Sequence, residues 1–326
     1  MTAVQPASAP STTIPRRDAL GLLGFAGAGV VLGTTLARAS TEPDAPSLAG
    51  VQPGHYRFTI GDIEALAVND GGFAVTPSES PFGIGEPREK VTEALRDALA
   101  PTDMMRLPFN VLLMRIGSEL VMVDTGCGPT FGAVGGRLVA NLAAAGVKPE
   151  QITGIIITHL HGDHFGGLLD ANGEVVFKNA GVFMHRVEHD YWASKGDETV
   201  SRYLKVFDGK WQLIVGGDKL LGGLEIVETF GHTPGHLAIG IRSGSDYLLH
   251  LVDVAHSHVL SFAHPEWVMK FDVQPQMAIA TRKRVLEQCA VDRTRVFGAH
   301  LPFPALGRVR KAAGAYEYLI EPWVSA

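Results

Sequence analysis

One seven-residue segment concentrates side chains that bind metal ions: Thr158-His159-Leu160-His161-Gly162-Asp163-His164. His159 and His161 alternate as in an extended chain, so their imidazoles share one side. Asp163 and His164 follow a glycine turn and can face a second centre. Because the segment comes directly after the apolar run 155–157, its polar groups need strong partners once they are buried. The segment predicts a metal site at the end of a strand.

Three further candidate ligands lie where other predicted strands begin or end. His236 stands at the start of the strand predicted for 237–241 and is the expected ligand of the segment GHTPGH, whereas His232 is expected to support that turn. Asp253 follows an apolar strand, where a carboxylate is out of place unless it meets a cation. His300 also follows a strand. Five histidines and two aspartates in this arrangement suit two borderline divalent ions.

The elements that must position these residues alternate between strands and helices. Apolar runs predict strands at 111–116, 120–123, 155–157, 237–241 and 247–252, and helices are predicted at 135–146 and 277–288. This interleaving, without a short repeat, predicts an α/β fold with helices on both faces of the sheet material. The candidate ligands lie at strand ends, the edge where α/β sheets gather their sites.

The ordered motifs THLHGDH, GHTPGH, Asp253 and His300 resemble the metallo-β-lactamase superfamily over roughly residues 55–310. The resemblance implies a four-layer αββα sandwich with the metals at one edge, and Asp124 in a loop that supports the ligands. Val252 departs from the family pattern, because many members have Gly before the bridging Asp. The implied ligands are His159, His161 and His236 for one metal, Asp163, His164 and His300 for the other, and Asp253 as the bridge.

Within the superfamily the chain looks most similar to methyl parathion hydrolase-like enzymes, through Gly54-His55-Tyr56, the VDTG turn, 136–146 and 299–304. That resemblance implies an exported homodimeric hydrolase of phosphotriesters, lactones or aryl esters. It also implies an aromatic leaving-group pocket formed by Phe131, Trp192 and Tyr203. His256, His258 and Trp267 depart from the expected pattern after the bridging Asp.

The expected cofactors are two divalent metal ions, with Zn²⁺ foremost and Mn, Co or Fe as alternatives. Such a pair lowers the pKa of bound water towards about 7, which supplies a bridging hydroxide to attack a carbonyl or phosphoryl centre. Asp163 or Asp253 would assist proton transfer. Two other interpretations stay open: an acyl-homoserine lactonase, which shares every ligand, and a non-catalytic exported metal-binding protein. A β-lactamase would usually carry Cys in place of Asp253.

Composition limits the partners. The 326 residues carry a net charge of -6 with a pI of about 6.1, which gives no electrostatic basis for binding nucleic acid. Two cysteines, Cys127 and Cys289, cannot form a disulfide framework, and whether they pair is left open. The expected substrate is a small-molecule ester.

The N-terminal region is expected to be an export signal. Arg16-Arg17, an apolar glycine-rich run and Ala37-Arg38-Ala39 predict a twin-arginine signal peptide over 1–39. Residues 40–53 are a predicted linker, and 54–326 form the hydrolase domain. We therefore expect a periplasmic or secreted protein with no stable membrane insertion after cleavage.

Overall fold

The computed structural model describes residues 53–323. The predicted signal peptide over 1–39 lies outside the described residues, as does the predicted linker over 40–53 except for Pro53. Within 53–323, no helix combines the length and the apolar character that crossing a membrane requires.

The first sheet is mixed and follows chain order. Strands β1 to β4 pair antiparallel, and β4 to β7 pair parallel. The strands are β1 (His55–Ile60), β2 (Ile63–Val75), β3 (Met105–Ile116), β4 (Glu119–Val123), β5 (Gly154–Ile157), β6 (Gly181–His185) and β7 (Trp211–Ile214).

The second sheet has the order β14-β13-β12-β11-β10-β9-β8. Only β11 and β12 pair parallel among its described strands. The strands are β8 (Lys219–Leu220), β9 (Leu224–Glu228), β10 (Leu237–Ser243), β11 (Asp246–Val252), β12 (Arg295–Gly298), β13 (Leu306–Ala312) and β14 (Ala315–Ile320).

Helices cover the outer face of each sheet, which confirms the predicted αββα sandwich. The alternation in β5 shows the layers: Ile156 packs between the sheets, while Ile155 and Ile157 pack outward with Leu142 and Val200. The α-helices are α1 (Arg88–Asp97), α2 (Leu138–Ala144), α3 (Gly162–Phe165), α4 (Arg186–Lys195), α5 (Glu198–Val206), α6 (Leu260–Ala263) and α7 (Pro275–Asp292). Helix α7 packs on β13.

The parallel pairs bring the chemistry-bearing loops to one edge. Strands β4 and β5 end there in the first sheet, and β11 and β12 end there in the second, because parallel strands share a direction. The Leu237 N–H donates to the Thr158 carbonyl at 3.2 Å, which joins the two sheets at this edge. Two non-glycine residues beside the site have left-handed backbone, Asp124 (φ 64°) and Val252 (φ 50°). Glycine is favoured in that region, so Val252 occupies a position of backbone strain.

Candidate metal centre

The first group of ligands converges from three loops. It consists of His159, His161, His232 and Asp253, whose ligand atoms lie within 4.8 Å of one another. His161 Nδ1 is 3.2 Å from His159 Nε2 and 2.9 Å from His232 Nε2. Asp253 Oδ2 is 3.1 Å from His232 Nε2 and 3.7 Å from His159 Nε2. Three imidazoles and one carboxylate therefore face a common point.

His232, and not His236, completes this group, so the assignment made from the sequence is wrong at this position. His236 Nε2 accepts the Asp253 backbone N–H at 3.2 Å. Its other nitrogen, Nδ1, therefore carries the proton and donates to Thr229 Oγ1 at 2.8 Å. Both nitrogens of His236 are occupied, and the side chain supports the loop that carries Asp253.

The second group consists of Asp163, His164 and His300. Asp163 Oδ2 is 3.7 Å from His164 Nε2 and 3.5 Å from His300 Nε2. Asp253 Oδ1 is 3.3 Å from His164 Nε2 and 3.2 Å from His300 Nε2. Asp253 thus lies between the two groups, and the structure brings together every expected ligand except His236.

Hydrogen bonds at the far nitrogen orient most of these histidines. His164 Nδ1 donates at 2.8 Å to Oδ2 of Asp124, the residue expected from the sequence to support the ligands. His300 Nδ1 donates to the Pro108 carbonyl at 2.9 Å, and His232 Nδ1 donates to Asp272 Oδ1 at 2.9 Å. Such partners fix the tautomer so that Nε2 presents its lone pair. Asp272, which the sequence did not single out, is in turn bonded by the buried Arg282 at 3.1 Å.

Burial and neighbouring carboxylates have opposing effects on the pKa values of the cluster's histidines. Burial lowers the pKa of His232, but its bonds to Asp253 and Asp272 outweigh burial and raise the pKa to about 9. Burial also lowers the pKa of His164, yet three neighbouring carboxylates bring it well above its usual value. Burial lowers the pKa of His161. The buried carboxylates therefore favour positive charge beside His164 and His232.

Divalent metal ions fit these residues. His164 Nε2 and Asp253 Oδ1 are buried and only 3.3 Å apart, yet neither atom makes a hydrogen bond of good geometry among the described residues. His161 Nδ1 is 3.2 and 2.9 Å from the ligand nitrogens of His159 and His232, separations at which the imidazoles could share one ion. The donor set suits two divalent ions with Asp253 shared between them.

A pocket of about 270 Å³ opens onto both groups. Its non-ligand lining is apolar apart from His256 and consists of Phe73, Leu107, Phe131, Gly162, Met269, Phe271 and His256. Among the described residues that line it, none is Lys or Arg. Phe131, expected in the pocket, is there and packs against Phe73 with ring centroids 5.4 Å apart.

Trp192 and Tyr203 do not line this pocket, which corrects the expectation from the sequence. The Trp192 indole donates to Glu188 Oε1 at 2.7 Å, and its ring lies edge-on to His161 with centroids 6.0 Å apart. Tyr203 is buried in the outer core, where its hydroxyl donates to the Gly166 carbonyl at 2.8 Å. Both rings face the helical layer because their polar atoms find partners there.

His256 is a site residue that the sequence left unexplained. It lines the pocket, and its Nε2 lies 3.0 Å from Asp253 Oδ2. Its position three residues after Asp253 is the signal that could have suggested this contact. His258 lines a different cavity beside Phe303. Cys127 and Cys289 are both buried and unpaired.

The family model of the metallo-β-lactamase superfamily matches residues 105–300, which contain every ligand of both groups. The chain belongs to this superfamily, and the protein is a metal-dependent hydrolase. The motifs that the sequence shares with the family therefore predict the correct class.

Similar proteins by sequence include the N-acyl homoserine lactonase of Bacillus cereus, 26% identical over 227 residues that cover 64% of this chain and 86% of the relative. A beta-lactamase-like protein 2 homolog of Caenorhabditis elegans is 30% identical over 159 residues, 48% of this chain and 49% of that protein. These curated relatives are lactonases and a lactamase-like protein, whereas the sequence motifs had suggested methyl parathion hydrolase-like enzymes.

Two solved structures are similar over most of the chain. One is AidC, a dizinc quorum-quenching lactonase, with a TM-score of 0.78 and 28% identity over 83% of this chain and 99% of that chain. The other is the hydrolase AbOPH of the beta lactamase superfamily, with a TM-score of 0.77 and 27% identity over 85% of this chain and 100% of that chain.

Proposed function

We propose that the protein is a zinc-dependent hydrolase of neutral esters that carry an apolar group, with N-acyl homoserine lactones as the foremost substrates. The observation that supports this most strongly is the chemistry of the pocket. Its walls are apolar and aromatic, and no Lys or Arg among the described residues lines it. An anionic substrate would enter without a countercharge from the walls, whereas a neutral lactone with an acyl chain fits them.

When bound, two divalent ions supply Lewis acidity and a nucleophile at neutral pH. His159, His161 and His232 would hold one ion, and Asp163, His164 and His300 the other, with Asp253 between them. Zinc suits this imidazole and carboxylate set. It is also the metal of AidC, a dizinc lactonase.

Among the chain's own groups, Asp163 is best placed to carry the proton to the leaving alkoxide. Its side chain is 11% exposed and lines the pocket. Asp253 lines the pocket too, but its Oδ2 is within 3.3 Å of His232, His256 and His300. Asp253 is therefore committed to holding the cluster together, and Asp163 keeps an oxygen that can reach the substrate.

The apolar walls orient the substrate and exclude water. Phe131 and Phe73 form one side of the pocket, and Phe271, 43% exposed, stands at its mouth. An acyl chain that packs on these rings is removed from water, which favours binding by about 0.8 kcal/mol for each CH₂ group. The lactone carbonyl then lies at the polar end, over the two ligand groups.

The test is a substrate panel on one metal-loaded preparation. It compares N-hexanoyl- and N-decanoyl-homoserine lactone with an aryl acetate, a dialkyl aryl phosphotriester and an anionic aryl phosphodiester. We expect the highest kcat/KM for a lactone and no turnover of the phosphodiester. A faster phosphotriester reaction would replace the lactonase proposal with the organophosphate hydrolase expected from the sequence motifs. Stoichiometric metal without turnover of any ester would contradict both.

We also propose export by the twin-arginine route and a homodimer in solution. The support is Arg16-Arg17 before an uncharged glycine-rich run, together with the family resemblance. Replacing Arg16 and Arg17 with Lys is expected to leave uncleaved precursor in the cytoplasm. Processing at the normal rate would contradict the proposed route, and light scattering on the processed protein measures the oligomer.

A further inference from the structure

A carboxylate outside the ligand set lies beneath the first group. Glu188, on helix α4, is completely buried, and among the described residues no cation forms an ion pair with it. Four donors satisfy it instead. Oε1 accepts the Leu160 backbone N–H at 2.9 Å and the Trp192 indole N–H at 2.7 Å. Oε2 accepts the Thr233 hydroxyl at 2.7 Å and the Gly235 backbone N–H at 2.9 Å.

Three of these donors belong to the two loops that carry the first group's histidines, and the fourth, the Trp192 indole, is on α4 itself. Leu160 lies between His159 and His161, and Thr233 directly follows His232. Each oxygen of Glu188 thus holds one loop. The two oxygens of a carboxylate are about 2.2 Å apart, and each makes hydrogen bonds to a different loop. The carboxylate therefore holds the two loops at a fixed separation.

The second group is held in a different way and has no contact of this kind with Glu188. Asp124 Oδ2 bonds His164 Nδ1 at 2.8 Å, and the Pro108 carbonyl bonds His300 Nδ1 at 2.9 Å. Asp124 Oδ1 also accepts the Thr158 backbone N–H at 2.8 Å. Because His164 and His300 are oriented by these other partners, a change at Glu188 acts first on the first group, although Asp163 and His164 follow His161 on the same loop.

We propose that Glu188 is a positioning residue that selectively sets the metal affinity of the first group, by clamping the loop of His159 and His161 to the loop of His232. The inference depends on the metal groups and not on which ester the enzyme hydrolyses. A carboxylate is required because each of its oxygens accepts two donors. In a glutamine either orientation of the amide would turn its NH₂ group towards at least one backbone or indole N–H, which cannot accept a hydrogen bond, and one loop would be pushed away.

The primary test compares the metal content of wild type and Glu188→Gln after gel filtration, together with the rate of zinc release to a chelator. Wild type is expected to retain two equivalents and Glu188→Gln one. Release of the weaker ion is expected to be about 10- to 100-fold faster, the usual effect of removing an outer-shell partner. Glu93→Gln, an exposed residue on α1, is the matched control with unchanged content.

Double variants identify which ion is lost. If Glu188 serves the first group, Glu188→Gln combined with His300→Ala should hold no metal. Glu188→Gln combined with His161→Ala should bind as much metal as His161→Ala alone, because both changes weaken the same metal site. Equal weakening of both ions, or two equivalents at the wild-type release rate, would overturn the proposal.

A milder variant keeps the test valid if Glu188→Gln folds poorly. Thr233→Val removes one donor from Oε2 and preserves the shape of the side chain. We expect faster release of one ion only, by a smaller factor than in Glu188→Gln, with an unchanged circular dichroism spectrum. Wild-type release of both ions from Thr233→Val would contradict the clamp. Activity at saturating zinc should recover in both variants, which separates this role from the choice of substrate.

Discussion

The two ends of the parallel strand pair β11 and β12 lie in regions that differ in chemistry. At their carboxyl ends, Asp253 and His300 enter the buried metal centre beside a pocket of about 270 Å³. At their amino ends, Asp246 and Arg295 line a larger cavity of about 770 Å³. The larger cavity is lined by five arginines: Arg242, Arg284, Arg293, Arg295 and Arg308.

The difference lies in how the charges are compensated. Arg295 makes a bidentate pair with Glu321 at 2.6 and 2.7 Å, and most of the other arginines are exposed to water. At the metal end, the 3%-exposed Asp253 keeps one oxygen without a hydrogen-bond partner. Buried polar groups are normally satisfied, so a cluster that is not satisfied marks the place where a ligand belongs. Cavity volume alone would have selected the wrong end.

The largest effect is expected from removing a ligand at the metal end. His161→Ala and Asp253→Ala should lower kcat/KM by at least about 1,000-fold, because each removes a group that holds the metal chemistry. Kinetic assays with metal analysis measure this. Arg284→Ala, an exposed residue of the larger cavity, is the control and should behave as wild type. Substantial turnover by Asp253→Ala would contradict the shared-carboxylate centre.

A smaller effect is expected from the residues that orient the ligands. Asp272→Asn should weaken metal binding by about 10- to 100-fold through His232, and Asp124→Asn should do the same through His164. Competition with a chelator measures the two affinities. The lost affinity should belong to the first group in Asp272→Asn. In Asp124→Asn it should belong mainly to the second group, with a smaller loss in the first group through Thr158 beside His159. Identical profiles for the two variants would show that the groups do not respond separately.

The sequence predicts the metal edge well because its signals are local. The THLHGDH segment follows a β-branched strand, and Asp253 and His300 follow apolar strands, so polar ligands stand where buried elements end. Parallel pairing then brings those ends together. The fold class follows from the same interleaving and from the family motifs.

What the sequence could not decide depends on partners far along the chain. His232 and His236 are four residues apart on one turn, and either could reach a metal. Asp272, forty residues away, orients His232, while Thr229 and the Asp253 backbone occupy His236. Trp192 and Tyr203 likewise sit on helices whose buried face only the tertiary structure reveals.

The aromatic wall should control chain-length preference more than catalysis. Phe131→Ala is expected to raise KM for N-decanoyl-homoserine lactone about tenfold and to change that for a short acyl chain less, because the long chain gains more from the ring. Steady-state kinetics across a series of acyl lengths measure the slope of log KM against chain length. Tyr203→Phe, whose ring lies in the outer core, should leave the slope unchanged. A changed slope in Tyr203→Phe would show that Tyr203 contacts the acyl chain, as the sequence suggested.

The smallest effect on activity is expected from the arginine end. Arg295→Ala should keep kcat/KM within about twofold of wild type, because the residue lies at the opposite end of β12 from His300. It should still cost about 1–2 kcal/mol of folding free energy, since Arg295 is half-buried, bidentate with Glu321 and over the Phe58 ring. Thermal unfolding should show a decrease in Tm of a few degrees. Arg242→Ala, whose pair with Glu225 is exposed and 4.0 Å long, should change Tm much less. A large loss of activity in Arg295→Ala with little change in Tm would mean that the two ends of these strands are functionally linked.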